Sequence, residues 1–495
     1  MKTSKPMKTR NIILVLVLFM IPVISGAQSL KGSYFLDNSL NRHEMNPAFA
    51  PRANYFQLFC IGNLGVGVGS NIDVPSLLYP TADGKLATFL HPDVSVKQFE
   101  RAFPKNPHMD VDLRTTLLGF GFYTKQKSYW TFDVDLRTNI DMDLPGDFFR
   151  FVKRGTGMDG GTYNVGNFNA YAMAGVQASL GYSRDIFKGF RAGIKGRVIA
   201  PVAYAGLNLE NVRLTASEEK WTVKTEGYAN IALAGLTTTE PSQDALLPSF
   251  GFDLNRLLAD KVLAGFGWSF DLGVEYTLEL GTIVDGLSVS AAVTDLGCIH
   301  YKKEALNSFK TGTENDIEWT GLEGVMVDNI DAVGTMLEDF VEDAKNSVVN
   351  LSKIDSNKGL TRSTMPSFHV GVEMPFLKRK MSVGLLYSSR ISHSYARNEL
   401  TLSYNLTPCK WFALGLNYSF LNTARTMGFV LELTPRIGPA FFLGMDYLPV
   451  SLAPAEFVPM LKMLPMGLRA NLNFGIAFHT GGKTTKNPKK VKNRK

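Results

Sequence analysis

Strict alternation of apolar and polar residues is the feature that most constrains the fold of this 495-residue chain. Over residues 467–479, one face of an extended strand carries only apolar side chains, those of Leu468, Ala470, Leu472, Phe474, Ile476 and Phe478. The other face carries polar or small residues, from Gly467 to His479. Successive side chains of a strand point to opposite faces of its sheet, so one face must meet an apolar medium while the other can meet water.

The same alternation returns through most of the chain, often with charges on one face. Residues 128–140 place Asp133, Asp135 and Arg137 opposite Trp130 and Phe132. Three charges on one face of a strand are very unfavourable in a soluble core, whereas a water-filled lumen accepts them. The apolar faces are about as long as a membrane-spanning strand, about 9–11 residues. The sequence therefore predicts an all-β fold, a transmembrane antiparallel β-barrel.

The strand number follows from counting the alternating segments. Residues 54–480 contain fifteen, or sixteen if residues 208–216 are separated from the preceding strand by a turn at Pro201. Bacterial outer-membrane barrels have even strand numbers, so we expect about 14–16 strands. Short turns then fall on one side of the barrel, and the long segments 70–111, 141–167, 235–267 and 298–366 fall on the other. No stretch after residue 27 has the roughly 18 uninterrupted apolar residues of a transmembrane helix.

The first 27 residues have the pattern of a secretory signal peptide. Basic residues at positions 2, 5, 8 and 10 precede an apolar run over residues 12–24, and small residues at 25–27 offer a cleavage site before Gln28. We therefore expect the protein to be exported, and the barrel pattern places it in the cell outer membrane, with lipid around it.

Residues 28–53 precede the first strand and have two interpretations. They contain Asn46, Pro47 and Ala48, and an Asn-Pro pair is a turn signal. The simpler interpretation is an ordered N-terminal turn. The other is a short plug, or hatch, that lies inside the barrel.

The net charge of +7 is a local property of the two ends. Without the four basic residues of the signal peptide and the seven of the tail, residues 481–495, the chain has 41 basic and 45 acidic residues. The body is therefore slightly acidic, and we expect no nucleic-acid partner. The basic tail is either solvated or in contact with anionic envelope polymers or lipid head groups.

The insertion at residues 298–366 breaks the strand pattern. Within residues 322–351, apolar residues such as Val333, Leu337 and Val341 recur at helical spacing, with acidic residues mostly elsewhere. This pattern predicts an amphipathic helix that either covers the barrel mouth or binds a partner protein. A shorter helix is predicted over residues 254–263.

Charged residues on the inward faces form the candidate functional surface. The candidate lumen-lining residues are Asp133, Asp135, Arg137, Arg191, Lys195, Arg197, Asp271, Glu275, Glu279, Glu373, Arg390, Glu399, Glu432 and Arg469. Because both signs are present, these charges either pair with one another and with a plug, or line a permeation path.

Catalytic, metal and cofactor sites have little support in the sequence. The seven histidines form no metal-type pair, and neither a glycine-rich phosphate loop nor a GxSxG motif occurs. Ser392, His393 and an acid from the barrel face would resemble an outer-membrane hydrolase, but a histidine in a turn is the simpler interpretation. Three cysteines far apart indicate neither a disulfide framework nor a metal site. We predict no enzyme, no catalytic residue, no metal ligand and no cofactor.

Three short motifs resemble a known family. They are residues 34–38 (YFLDN), residues 46–49 (NPAF) and residues 294–297 (TDLG), and the closing aromatic strand accompanies them. Together they resemble an outer-membrane barrel family of Bacteroidota-type bacteria, the family with domain of unknown function 5723, which is distantly similar to FadL-type and PorV-type barrels. One departure is that Phe478 is followed by 17 further residues, whereas such barrels commonly end on an aromatic residue.

The resemblance implies two functions of different classes. FadL-type proteins imply an N-terminal hatch and diffusion of small hydrophobic or amphipathic molecules through the barrel. PorV-type proteins imply a scaffold without transport, whose partner is a secreted or surface-attached protein. Neither resemblance carries a ligand-binding residue over to this chain.

Overall fold

The computed structural model describes most of the chain after residue 29. The described residues are 30–58, 62–80, 86–124, 128–154, 161–216, 221–233, 236–238, 250–252, 263–280, 284–317, 326–327, 352–354, 358–393, 395–421, 424–450, 452–454, 463–465 and 467–481. The predicted signal peptide and all of the basic tail after Gly481 lie outside them.

Strands make up most of the described residues. In chain order they are β1 (Asn54–Leu58), β2 (Leu64–Ser70), β3 (Leu78–Pro80), β4 (Leu86–Thr88), β5 (His108–Tyr123), β6 (Tyr129–Asp143), β7 (Gly161–Phe187), β8 (Phe190–Ala216), β9 (Trp221–Leu233), β10 (Leu236–Thr238), β11 (Phe250–Phe252), β12 (Gly265–Leu278), β13 (Leu287–Tyr301), β14 (Leu306–Ile317), β15 (Met326–Val327), β16 (Ser352–Ile354), β17 (Leu360–Ser363), β18 (Ser367–Phe376), β19 (Met381–Ile391), β20 (Ala396–Cys409), β21 (Phe412–Leu421), β22 (Arg425–Leu433), β23 (Ile437–Pro449), β24 (Leu452–Pro454), β25 (Met463–Pro465) and β26 (Arg469–Gly481).

The helices among the described residues are few and short. Three α-helices are α1 (Val74–Leu77), α2 (Val96–Ala102) and α3 (Gly146–Arg154), and three 3-10 helices span Lys31–Ser33, Arg42–Glu44 and Lys303–Ala305. No helix in the part of the chain that the structure describes is long and apolar enough to cross a membrane.

The strands close on themselves as an antiparallel barrel. β1 and β2 are two parts of one interrupted strand, since both pair with β26 on one side and with β5 on the other. The ring continues through β6, β7, β8, β12, β13 and β18, and then from β19 to β23 and back to β26. Among the described residues, fourteen strands close this ring, and β9 and β14 extend it from β8 to give sixteen. The predicted strand number is confirmed.

Short and long connections fall on opposite ends of the barrel. The turns between β5 and β6, β7 and β8, β18 and β19, and β20 and β21 share one end, here termed the turn end. The long connections, such as those after β2 and β6, leave from the opposite end, here termed the loop end. The chain enters β1 and leaves β26 at the turn end, where Asn54 pairs with Gly481.

Large apolar side chains cover the outside of the barrel. On β12, Trp268, Leu272 and Val274 are 48%, 48% and 39% exposed, whereas Ser269 and Asp271 between them are buried. Similar exposed side chains occur on nearly every strand of the ring, among them Leu402, Leu416 and Phe474. A soluble protein rarely exposes an apolar belt of this extent, and lipid is the medium that matches it. The predicted transmembrane barrel is confirmed.

The predicted turn at Pro201 is wrong, because β8 runs through this residue without a break. The register with β7 shifts there, so that Gly175 lies opposite Pro201 while Ala174 lies opposite Ala203. A proline has no N–H for the ladder, and a bulge is where a strand tolerates it. The Pro201 carbonyl accepts a hydrogen bond from Ala264 N at 3.0 Å, just where the partner of β8 changes from β9 to β12. The sixteenth strand is instead β14, inside the insertion.

Loop helices are present at the loop end of the barrel. α2 begins after Ser95, whose hydroxyl accepts a hydrogen bond from Gln98 N, and it packs Phe99 against Phe89 with ring centroids 4.8 Å apart. Phe149 of α3 joins the same apolar cluster at the loop end.

The predicted helix at 322–351 lies outside the described residues except for Met326 and Val327. These two form β15 and pair with β4, so at this point the helix prediction is wrong, because the extended backbone finds its hydrogen-bond partners across the β4 edge. The predicted helix at 254–263 lies outside the described residues except for Leu263, which is in no helix.

The apolar belt yields a first test at Leu272, in the middle of β12. We expect Leu272→Arg to lower the free energy of unfolding by about 2–4 kcal/mol, because a charge on the lipid face is unfavourable near the bilayer midplane. Denaturant unfolding of the protein refolded in lipid vesicles measures this cost. The matched variant Leu272→Phe keeps an apolar side chain and should remain close to wild type. Equal stability of the two variants would contradict a lipid-facing position.

Candidate functional site

The N-terminal segment, residues 30–53, lies inside the barrel. Its side chains are nearly all buried, and they contact the inward faces of β6, β8, β12, β20 and β23. Asn46, at 0% exposure, begins a tight turn in which its side-chain oxygen accepts a hydrogen bond from Ala48 N at 2.9 Å. The Asn46 amide also donates to the Val274 carbonyl of β12 at 3.2 Å. The three predicted plug residues are therefore the part of the segment that meets β8 and β12.

Glycines in the wall let this turn approach the strand backbone. A Cβ atom at Gly193 of β8 would lie 2.1 Å from the Pro47 carbonyl oxygen, and one at Gly273 of β12 would lie 2.0 Å from Asn46 Oδ1. No other residue type fits at such distances without a shift of the segment or of the wall.

The first residues of the segment are held by a buried polar cluster. Asp446 of β23 accepts hydrogen bonds from Lys31 N at 2.7 Å and from Gly32 N at 2.8 Å. The Lys31 ammonium forms an ion pair with Glu399 of β20, and the Tyr447 hydroxyl donates to the same carboxylate at 2.7 Å. Each charge in this cluster has a partner, as burial requires.

A second buried cluster ties the middle of the segment to β5, β6 and β8. Asp133 of β6 accepts a hydrogen bond from Lys195 Nζ at 2.9 Å and lies 3.1 Å from His43 Nε2. Next to it, Arg114 bridges Glu44 of the segment and Asp135 of the wall, at 2.8 Å for the latter. The Asp133 carboxylate of β6 thus connects the segment, through His43, to β8, through Lys195.

A third cluster lies within the segment near the turn end. Arg42 and Arg52 both donate to Asp37, at 2.7 and 2.8 Å, and the Arg42 guanidinium covers the Phe49 ring at 4.0 Å. Burial alone raises the pKa of Asp37, but the charges of Arg52, Arg42 and Arg379 lower the pKa well below its usual range. Asp37 is therefore ionised at any physiological pH.

A cavity of about 120 Å³ lies between Lys31 and the loop end of the strands. Its charged lining is mostly basic, with Lys31, Arg114, Arg137, Arg362, Arg390 and Arg397 against Asp112 and Asp295. Tyrosines and histidines complete the lining, among them Tyr171, Tyr204, Tyr301, His369 and His393.

Carboxylates behind the cavity neutralise most of these arginines. Arg390 donates to both oxygens of Asp112, at 2.8 and 2.7 Å. Arg397 and Arg469 share Asp110, at 2.8 and 3.1 Å. Such bidentate and shared pairs hold the guanidinium groups in fixed positions.

Asp295 joins two further arginines. It forms ion pairs with Arg197 and, at 3.3 Å, with Arg137, while Arg197 also donates to both oxygens of Asp271 at 2.7 and 2.5 Å. The φ angle of Asp295 is +58°, an unusual value for a residue other than glycine, and its N–H donates to Asp271. The backbone here turns this carboxylate towards the arginines.

The predicted lumen residues mostly fall on the inner wall. Those that are buried are Asp133, Asp135, Lys195, Arg197, Asp271, Glu373, Glu399, Glu432 and Arg469, and those that are half-buried are Arg137, Arg191, Glu275 and Arg390. Glu279 is placed elsewhere. It follows the end of β12 and pairs with Lys188 at the turn-end rim, with 55% and 84% of the two side chains exposed, because it lies beyond the last residue of the strand and therefore outside the lumen.

Sequence reasoning missed several residues that the structure brings to the same place. They are Glu44, Asp110, Asp112, Asp295, Arg362 and Arg397. Asp110, Asp112 and Arg114 do alternate along β5, so a strand that starts at His108 instead of residue 112 reveals them. Arg362 has no such signal, because it sits in the short strand β17 inside an insertion.

The described residues contain no group of three or more His, Cys, Asp or Glu side chains arranged to hold a metal ion. Within the same residues Cys298 and Cys409 are free thiols, and Cys60 lies outside them.

A family model described as "family of unknown function (DUF5723)" matches residues 47–446 of the chain. The protein belongs to this family. The match covers the barrel from the Pro47 turn of the N-terminal segment to Asp446, so the family resemblance of the sequence is confirmed. No curated protein matches the DUF5723 chain.

Solved structures of barrel proteins are similar to this DUF5723 protein at low identity. The Ralstonia pickettii toluene transporter TbuX shares 9% identity, with 92% of this chain and 97% of that one covered and a TM-score of 0.38. The P. putida toluene transporter TodX shares 10% identity, with 92% and 99% covered and a TM-score of 0.40. The translocator domain of the autotransporter NalP from Neisseria meningitidis shares 7% identity, with 86% and 88% covered and a TM-score of 0.31. Likenesses of this size carry no argument about a substrate.

The Asp133 cluster yields a second test. We expect Lys195→Met to lower the free energy of unfolding by about 3–5 kcal/mol, because it leaves part of a buried carboxylate charge uncompensated. Denaturant unfolding of the refolded barrel measures the change. The matched control is Lys188→Met, which removes the lysine of the exposed pair with Glu279. Exposed pairs contribute little, so a loss of stability in the control equal to that in Lys195→Met would contradict the assignment of the buried cluster.

Proposed function

We propose that this DUF5723 protein is an outer-membrane barrel through which small amphipathic molecules pass, with residues 30–53 as its plug. The observation that carries the proposal is that a separate segment of chain, and not the wall, fills the lumen. Eight strands make a barrel that its own side chains can fill, whereas a fourteen-strand ring is wider. Removal or displacement of the segment would therefore leave a path.

The location follows from the exterior of the barrel. Exposed apolar side chains alternate with buried polar ones on the ring strands, which is the pattern of barrels that span the outer membrane. The predicted signal peptide is consistent with export, although residues 1–27 lie outside the described residues.

The wall of the cavity supports an amphipathic cargo. Charged groups of both signs stand beside the rings of Tyr171, Tyr204 and Tyr301, so the lining offers both ion pairing and apolar contact. A purely hydrophobic solute would make no use of the charged groups, and a fully hydrated ion would gain nothing from the rings. A small molecule with a polar group and an apolar body matches both.

A scaffold without transport is the second candidate. The observation that favours it is that the segment is tied to the wall by buried ion pairs at Glu399 and Arg114 and by the contact of His43 with Asp133. A lumen closed in this way is stable, and the loop end, where the buried cluster around Phe99 holds α2 and α3 in place, would then be the surface that holds a secreted or surface-attached protein.

Planar-bilayer conductance separates the two candidates. In Gly193→Ala the new Cβ atom meets the Pro47 carbonyl, so the plug turn must shift away from β8. We expect this variant to conduct ions more often than wild type. The matched control is Gly196→Ala on the same strand, where a Cβ atom meets nothing within 4 Å, and it should behave as wild type.

The result depends on both proteins being folded, which heat-modifiable migration on gels checks. A folded Gly193→Ala protein that remains as closed as Gly196→Ala would overturn the transport proposal and favour the scaffold.

A further inference from the structure

Arg362 differs from the other arginines of the cavity. Its guanidinium carbon lies 5.3 Å from the ring centre of Tyr171 and 5.9 Å from that of Tyr204, and its Nε donates to the Tyr204 hydroxyl at 3.0 Å. Among the described residues no carboxylate lies within ion-pair distance of it, whereas Arg390 and Arg397 each have one. Arg362 therefore presents an uncompensated positive charge to the cavity.

Tyr301 adds a second unsatisfied group to the same wall. Its side chain is fully buried, its ring centre lies 4.6 Å from that of Tyr204, and its hydroxyl has no hydrogen-bond partner among the described residues. A buried hydroxyl without a partner is unfavourable, so a site of this kind usually has one that the protein itself does not supply. An acceptor oxygen in the cavity would satisfy it.

The remaining wall of this corner is aromatic and flat. The ring of His393 stacks on Tyr171 with centroids 4.8 Å apart. Burial, together with the positive charge of Arg362, lowers the pKa of His393, so the imidazole is neutral near pH 7 and adds no competing charge. Tyr171, Tyr204 and His393 thus place aromatic rings around the guanidinium.

The size of the cavity limits what can bind. Its volume is about 120 Å³. A protein cavity of roughly 150 Å³ accommodates benzene, so a single six-membered ring is the largest group that the enclosed space takes here, and a substituent on it must lie in the part of the cavity that is open. A fatty acid or a nucleotide does not fit without a change of the wall.

We propose that Arg362, Tyr171, Tyr204 and Tyr301 form a binding site for a small aromatic carboxylate. The guanidinium is a planar donor that matches a carboxylate, and the Tyr301 hydroxyl donates to one of its oxygens. The ring of the ligand packs beside these aromatic side chains, where its apolar surface is removed from water. The inference deepens the proposed function by naming the cargo, and it rests on that function only in treating the bound molecule as cargo.

Equilibrium binding to the detergent-solubilised full exported chain, measured by calorimetry, tests the site. The probe is benzoate, and two partial probes are benzyl alcohol, which has the ring without the charge, and acetate, which has the charge without the ring. We expect benzoate to bind at least about tenfold more tightly than either, because both parts of the site are then used. Inorganic phosphate serves as the probe for a simple anion site.

Variants assign the binding to these residues. Arg362→Gln should weaken benzoate binding about tenfold or more, and Tyr301→Phe should weaken it several-fold, since each removes a donor to the carboxylate. The matched control is Arg425→Gln, an exposed arginine at the start of β22 outside the cavity, which should leave binding unchanged.

Several outcomes would overturn the site. They are equal affinity for benzoate and acetate, tighter binding of phosphate than of benzoate, or wild-type affinity in folded Arg362→Gln. Because binding is measured without passage, it is separate from the conductance test. Benzoate binding in a protein whose Gly193→Ala variant stays closed overturns transport alone, and conductance without benzoate binding overturns this site alone.

Discussion

The pairing of buried charges between the N-terminal segment and the barrel wall is the interaction on which the rest of the structure depends. A ring of fourteen strands encloses more space than its own side chains fill, and a charged inner wall cannot be left dry without partners. Residues 30–53 fill this space and also supply partners for the wall charges. Glu44 and Lys31 supply charges to Arg114 and Glu399, and the tight turn at Pro47 fits against wall positions that have no side chain. The segment and the wall are thus one folded unit, although the segment joins the ring only through β1.

This arrangement divides the lumen into two zones of different character. Towards the turn end, the segment and the wall satisfy each other, with Asp133 held by both Lys195 and His43. Towards the loop end, the arginines Arg390 and Arg397 are neutralised from behind by Asp112 and Asp110, so their fixed positions shape an open cavity. The turn-end zone accounts for the closed interior, and the loop-end zone contains the cavity.

The barrel fold could be predicted from the alternation along each strand. Lipid requires apolar side chains at every second position and the lumen accepts polar ones between them, and neither requirement depends on the rest of the chain. The same logic located Asp133, Asp135, Lys195 and Asp271 on the inner wall. It failed at strand ends, as at Glu279, since periodicity does not say where a strand stops. It also could not find pairs such as Asp110 with Arg397 and Arg469, which are 287 and 359 positions apart and meet only when the ring closes. Arg362 was out of reach for the same reason, because its neighbours Tyr171 and Tyr204 come from another part of the chain.

The length of the β7–β8 hairpin makes the barrel rim uneven. Each strand has 27 residues, which is about 90 Å of extended chain and about 70 Å of height at the tilt common in such barrels, against an apolar band of about 25 Å. The strands β19 to β22 have between 9 and 14 residues and reach little beyond that band. The strands on one side of the mouth therefore extend far beyond the apolar band, whereas those on the opposite side end close to it. Tyr171 and Tyr204 lie on the longer strands, and His393 in the β19–β20 connection stacks on Tyr171, so the two sides of the mouth meet at this point.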